Sequence, residues 1–82
     1  MEETTLKTEQ IQIERKTFIF ILKENARGRF LRITEDVHGR RDNVIVPSTG
    51  VDECSRVFGA MVKAESELAE SDPRVETEAG SL

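Results

Sequence analysis

The sequence predicts an α+β domain in which a four-stranded antiparallel sheet is followed by a single helix. Apolar and polar residues alternate through much of the first half of the chain, which is the period of half-buried strands. Polar breaks, two of them containing glycine, divide this region into four segments. From Val51 onward the apolar residues recur with a period near 3.6, which indicates a helix.

The first two segments predict a strand at residues 8–14 and a second at residues 17–22. Ile11 and Ile13 point to one side of the first strand, with polar residues on the other. The second strand, with sequence TFIFIL, is rich in β-branched and aromatic residues and is apolar on both sides. A free edge of this kind would be prone to aggregation, so we expect a central strand whose Ile19 and Ile21 are covered by a partner subunit.

The third and fourth strands are predicted at residues 29–36 and 43–47. Residues 25–28 form a hairpin turn that contains Gly28, and residues 37–43 form a polar loop that carries Arg40 and Arg41. Alternation places Leu31 and Ile33 on the inner face of the third strand and therefore Phe30 and Arg32 on the outer face. Pro47 ends the fourth strand because it has no N–H for the ladder.

A helix is predicted over residues 51–69, with Thr49 as its N-cap and acidic residues in its first turn. We expect it to lie across the sheet and to bury its apolar positions, namely Val51, Cys54, Val57, Phe58, Met61 and Val62. Residues 1–7 and 70–82 are polar and acidic and are predicted to be disordered, so the domain is expected to span residues 8–69.

The charge is unevenly distributed, although the 82-residue chain carries a net charge of −4. Residues 14–63 have a net charge of +3, and the two ends together have −7. A basic core between acidic ends is compatible with a nucleic-acid module whose acidic ends compete with phosphate or only aid solubility. The lone Cys54 allows no intrachain disulfide, and no signal peptide or membrane span is visible, so we expect a soluble intracellular protein.

No arrangement typical of an enzyme is present. His38 and Cys54 are the only residues of their types and lie on different predicted elements, whereas a metal site needs three or four convergent ligands. We expect His38 to be exposed in its loop and Cys54 to be a small core residue. The sequence therefore predicts no catalysis, cofactor, metal or small-molecule substrate.

The candidate site is the turn between the second and third strands, with sequence KENARGRFL. It brings Lys23, Arg27 and Arg29 close to Phe30, and cations beside an exposed ring are the two parts of a single-strand nucleic-acid site. Asn25 is expected either to shape the turn or to contact base edges. Arg29 and Arg32 are expected to follow the phosphate backbone or to form surface ion pairs with Glu35 or Asp36, while Arg40 and Arg41 favour neither role.

These segments also resemble a known family. KENARGRFLRI, with KTFIFIL before it and GRRDNVIVPSTG after it, is similar to the repeat of the PUR-alpha family of purine-rich-element binding proteins, over residues 10–63. The resemblance implies a β-β-β-β-α unit that intertwines with a second repeat, here as a homodimer. It implies that Lys23, Asn25 and Arg27 contact guanine-rich single-stranded DNA or RNA, that Phe30 stacks on bases, and that the protein acts in transcription or mRNA handling, in the nucleus, the cytoplasm or both. Ile19 and Ile21 depart from the family, where polar residues are common.

Two alternatives remain open from the sequence. The first is a protein-interaction module in which the apolar second strand and helix bind a protein partner. The second is another single-strand binder built from a sheet and a helix, such as the PC4-like coactivators. Binding to single-stranded nucleic acid at low salt would favour the PUR-alpha interpretation over a protein-interaction module. A preference for guanine would help to distinguish it from a PC4-like protein.

Overall fold

The computed structural model describes residues 2–71 and shows an antiparallel sheet followed by a helix, which confirms the predicted fold class. The strand order is β1-β2-β3-β4, so each strand pairs with its neighbour in sequence. A 3₁₀ turn, Ser48–Gly50, leads into the helix. The elements are β1 (Thr4–Ile13), β2 (Lys16–Asn25), β3 (Gly28–Val37), β4 (Arg40–Pro47) and α1 (Val51–Ser71).

Strand β1 begins at Thr4, so the prediction that all of residues 1–7 are disordered is wrong. The β-branched Thr4 and Thr5 pair with Glu24 and Lys23 of β2, which extends the ladder beyond the region of clear alternation. A register shift between Thr5 and Lys7 interrupts the period of two there. At the other end α1 continues to Ser71, and residues 72–82 lie outside the described part of the chain.

The predicted loop over residues 37–43 is also wrong, because β4 begins at Arg40. The reversal needs only His38 and Gly39, which have φ values of 55° and 87°. Positive φ at both central residues is the geometry of a two-residue hairpin turn that matches the twist of the flanking strands. Arg40 and Arg41 therefore lie in a strand, while His38 is exposed in the turn as expected.

The Asp36 side chain stabilises this hairpin through two hydrogen bonds. Its Oδ1 accepts a hydrogen bond from the Gly39 N–H at 3.0 Å, and its Oδ2 accepts one from Arg41 Nε at 2.7 Å. Both donors favour the carboxylate, led by the Gly39 N–H, and hold the pKa of Asp36 below its ordinary value of 3.8.

Because the folded-state pKa of Asp36 is lowered, its contribution to stability is complete above the unfolded-state pKa and is lost as the pH falls from there through the lower folded-state pKa. We expect Asp36→Asn to unfold more easily than the parent protein at pH 7 and to lose less stability than the parent between pH 5 and pH 3. Urea unfolding at these three pH values measures this, with Asp42→Asn on the same hairpin as control. Equal acid sensitivity of Asp36→Asn and the parent would contradict the assignment.

The register defines two faces of the sheet. The Phe30 face carries Phe30, Arg32 and Thr34 of β3, with Ile19, Ile21 and Lys23 of β2 and Ile45 and Pro47 of β4. The Leu31 face carries Leu31 and Ile33, with Phe18, Phe20, Leu22, Val44 and Val46. Phe30 thus lies opposite Leu31 and Ile33, as alternation predicted, and β2 is a central strand.

Helix α1 has Asp52 and Glu53 in its first turn, as predicted. Thr49 does not stand at the helix boundary as an N-cap, because it lies in the middle of the 3₁₀ turn and α1 begins at Val51.

The prediction that α1 buries its apolar residues is wrong for the single chain. Val57, Phe58, Met61 and Val62 are exposed, with Phe58 71% exposed, Cys54 is exposed too, and Val51 is half-buried. The helical period identifies a face that needs an apolar partner, but it does not say which chain supplies that partner.

Within residues 2–71 no hydrophobic side chain is buried, and Thr34, at 4% exposure, is the one buried polar residue. Thr34 donates its hydroxyl to Asn43 Oδ1, which satisfies it across β3 and β4. A unit of this size buries only about 60% of its unfolded surface even when complete. The single chain therefore leaves its hydrophobic core incomplete. Over the same residues no helix has the length and apolar character needed to cross a membrane.

Candidate nucleic-acid interface

The turn between β2 and β3 is built by Asn25 and Gly28. Ala26 and Arg27 make the reversal, and Gly28 has a φ of 132°, which side chains other than hydrogen resist. Asn25 Oδ1 accepts a hydrogen bond from the Arg27 N–H at 2.9 Å, so its oxygen shapes the turn. The Asn25 amide nitrogen is a separate donor, and the structural role of the oxygen does not use it.

A shallow, open depression, here called the turn depression, lies between this turn and the end of β4. Its apolar part consists of Phe30, which is half-buried, and of Ile45 and Pro47. Phe30 and Pro47 are cross-strand partners, so their side chains are close neighbours on one face. The residues that line the turn depression are Glu3, Asn25, Arg27, Gly28, Arg29, Phe30, Ile45 and Pro47.

Lys23 is the cross-strand partner of Phe30 on β2, so a cation stands beside the ring. The Lys23 Nζ is 3.1 Å from Glu3 Oε1, and the lysine side chain is only 15% exposed. Lys23 therefore lies at the site that the sequence predicted, but its charge is paired.

The three arginines of the predicted site occupy different positions. Arg27 is exposed in the turn and borders the turn depression. Arg29 also borders the depression. It is the cross-strand neighbour of Glu24 in the β-ladder, and alternation assigns its side chain to the Leu31 face. Arg32 lies on the Phe30 face between Ile21 and Ile45. Among residues 2–71 none of the three forms an ion pair, including the pairs of Arg32 with Glu35 or Asp36 that the sequence left open.

Arg32 differs from the others because its Nε is buried and has no hydrogen-bond partner within the described part of the chain. A buried donor without an acceptor costs about 1–3 kcal/mol. An oxygen from a ligand would remove that cost only if the guanidinium group moves and exposes the Nε.

Sequence reasoning missed three residues of the turn depression, namely Glu3, Ile45 and Pro47. Ile45 and Pro47 lie on the same face of β4, because side chains alternate along a strand. Pairing β4 with β3 in the sequence analysis would have placed both residues beside Phe30 and Arg32. Glu3 carries no such signal, because its position follows from the irregular start of β1.

A metal-binding cluster is not found among residues 2–71. No group of three or more His, Cys, Asp or Glu side chains there is placed to hold a metal ion. His38 lies in the β3–β4 turn and Cys54 lies on α1, as separate exposed residues.

Comparison with known proteins gives a consistent result. The family model described as "PurA ssDNA and RNA-binding protein" matches residues 1–81. The chain is 40% identical over 63 residues to Transcription factor Pur-alpha 1 of Arabidopsis thaliana, an alignment that covers 77% of this chain and 21% of that protein. It is 36% identical over 60 residues to Transcriptional activator plp-1 of Caenorhabditis elegans, covering 70% of this chain and 26% of that protein.

The chain thus aligns with about a fifth to a quarter of the length of these curated relatives. No solved structure matches it significantly. The family match spans nearly the whole sequence, and the four strands followed by a helix are the unit that the resemblance implied. The chain is a member of the PurA family of single-stranded DNA- and RNA-binding proteins, with one PUR repeat.

Proposed function

We propose that this protein binds purine-rich, in particular guanine-rich, single-stranded DNA or RNA as a homodimer, without catalysis, and acts in transcription or mRNA handling. Phe30 stacks on a base, Asn25 and Arg27 contact base edges, and Lys23, Arg29 and Arg32 contact phosphates. The names of the relatives as transcription factor and transcriptional activator favour a nuclear role.

The observation that carries the proposal is the position of Phe30. The ring borders an open depression, has Lys23 as its cross-strand partner, and shares the depression with Asn25 and Arg27. Aromatic rings that bear bases, together with cations that follow the phosphates, are what single-strand binding requires.

Arg32 supports the extension of the site along the Phe30 face. Its buried Nε has no acceptor among residues 2–71, and its neighbours Ile21 and Ile45 offer none from their side chains. A change of the Arg32 rotamer that exposes this donor would let a phosphate or base oxygen accept a charge-assisted hydrogen bond from it.

The homodimer is supported by the apolar surface of the single chain. Helix α1 exposes Val57, Phe58, Met61, Val62 and Leu68 by 44–71%, and Val44 of the Leu31 face is 57% exposed. Soluble monomers rarely expose an apolar helix side of this kind. A second copy offers an equally apolar surface. Ile19 and Ile21 lie on the opposite, Phe30 face of the sheet, so a partner subunit that covers them would do so through a separate contact.

The direct test is a titration of the protein with labelled G-rich, C-rich and duplex oligonucleotides at two salt concentrations, with the oligomeric state recorded. We expect binding to the G-rich single strand to be tightest and to weaken as salt rises. Absence of binding to every single strand at low salt would overturn the proposal and favour a protein-interaction module. Binding without guanine preference would contradict the purine-rich target.

The phosphate contact of Lys23 has its own test. We expect Lys23→Ala to weaken binding to the G-rich strand and to lower the slope of log affinity against log salt by about 0.7, the value for one phosphate on a single strand. Lys7→Ala is a matched control, because Lys7 lies in register on the Leu31 face and its side chain is 67% exposed. An unchanged slope for Lys23→Ala would remove Lys23 from the site.

A further inference from the structure

Glu3 is an acidic residue within a site that is otherwise cationic and apolar. Its carboxylate pairs with Lys23 at 3.1 Å, and it lines the turn depression together with Arg27 and Phe30. The Glu3 side chain is 44% exposed, whereas that of Lys23 is 15% exposed. The ammonium group of Lys23 is therefore paired with Glu3 on a side chain that has little contact with solvent.

We propose that Glu3 is an autoinhibitory residue whose carboxylate occupies the place of a nucleic-acid phosphate on Lys23. The inference rests on the proposed function, because it takes Lys23 as a phosphate contact. A carboxylate and a phosphate oxygen are both anionic acceptors for an ammonium group, so they compete for it. A nucleic-acid strand that binds at Lys23 must displace the Glu3 carboxylate, or its phosphate is repelled by that carboxylate.

Strand β1 determines where Glu3 is held. Thr4 and Thr5 pair with Glu24 and Lys23, so the ladder carries the residue before Thr4 to the end of β2 where the turn begins. The pairing gives the carboxylate a high local concentration at the lysine, since its competition is intramolecular. A free anion in solution has no such advantage.

The strength of this competition is modest and tunable. Ion pairs at partly exposed sites contribute little, equivalent to about a two- to fivefold change in an equilibrium constant. Salt screens this pair, so the competition weakens as the salt concentration rises.

The experiment measures the affinity of the full chain for one G-rich single-stranded oligonucleotide at low salt. We expect Glu3→Gln to bind about two- to fivefold more tightly than the parent, with the gain declining as salt rises. The control is Glu9→Gln, which makes the same charge change in an ion pair of the same 3.1 Å length with Lys7, on the Leu31 face. Glu9→Gln is expected to give a smaller gain.

A double-mutant cycle tests whether Glu3 affects binding through Lys23. In a Lys23→Ala background the gain from Glu3→Gln should largely disappear, because the competitor has lost its target. An equal gain in both backgrounds, or an equal gain from Glu9→Gln, would show a general charge effect and overturn the proposal.

Three further outcomes are decisive. If the parent binds the G-rich strand and Glu3→Gln binds it equally, the autoinhibitory contact is disproved while the proposed function stands. If Glu3→Gln binds less tightly and loses discrimination between G-rich and C-rich strands, Glu3 reads base edges and the inference is overturned. If neither protein binds any single strand at low salt, the proposed function itself fails.

Discussion

Phe30→Ala is expected to weaken binding to a G-rich single-stranded oligonucleotide by about 1–3 kcal/mol, the range found when a base loses its aromatic stacking partner. Phe30 borders the turn depression on the face opposite Leu31 and Ile33, and Lys23 is its cross-strand partner. Alanine removes the ring and leaves the neighbouring cations in place. Fluorescence anisotropy with a labelled oligonucleotide measures the change.

The controls for Phe30 separate stacking from folding. Phe30→Trp keeps an aromatic surface and should keep most of the affinity, whereas Phe30→Leu keeps an apolar side chain but should lose affinity almost as alanine does. Thermal unfolding of all three variants shows whether the sheet is intact. Parent-like affinity in a folded Phe30→Leu variant would mean that the ring packs within the protein and does not bear a base.

Phe58→Asp is expected to convert the proposed homodimer into a monomer. Phe58 is 71% exposed in the single chain and lies on the apolar side of α1 with Met61 and Val62. If a second copy covers this surface, the substitution removes a buried ring and places a charge among apolar groups, at a cost of about 3 kcal/mol or more. The dimer dissociation constant should rise at least roughly 100-fold. Sedimentation equilibrium measures it.

Lys63→Glu is the matched control for Phe58→Asp. It changes charge on an exposed position of the same helix and leaves the apolar residues intact. We expect Lys63→Glu to remain dimeric and to unfold close to the parent temperature. A parent protein that is a folded monomer at micromolar concentration, or a Phe58→Asp variant that dimerises as the parent does, would contradict the homodimer.

The sheet could be predicted from local patterns because its pairing is entirely local. Alternation assigned Phe30 and Leu31 to opposite faces, and the register confirms it. The turn at Gly28 was marked by the residue type that tolerates a positive φ. The extent of the strands was harder to predict, since Thr4 and Arg40 enter the ladder by pairing with residues whose own side chains show no clear alternation.

The contacts around the site could not be predicted from the sequence, because they join residues that are far apart along the chain. Lys23 was predicted as a contact, but its pairing with Glu3 follows from the register shift between Thr5 and Lys7. The burial expected for α1 failed for a related reason, because periodicity shows that a face is apolar without showing what covers it. The Glu3 pairing of Lys23 and the exposure of α1 both concern partners, whereas the local conformation of each segment was largely predictable.

Strand order has a kinetic consequence. The strands β1, β2, β3 and β4 are joined by hairpins in chain order, so each strand pairs with a segment that is close to it in sequence. Hairpins form in microseconds, and chains dominated by such short-range contacts fold quickly. The early phase of refolding should therefore be first-order and independent of dilution, and the proposed association of two copies would follow as a second-order step that dilution slows. Until two copies associate, newly made chains would leave the apolar residues of α1 exposed, and aggregation would compete with the proposed association.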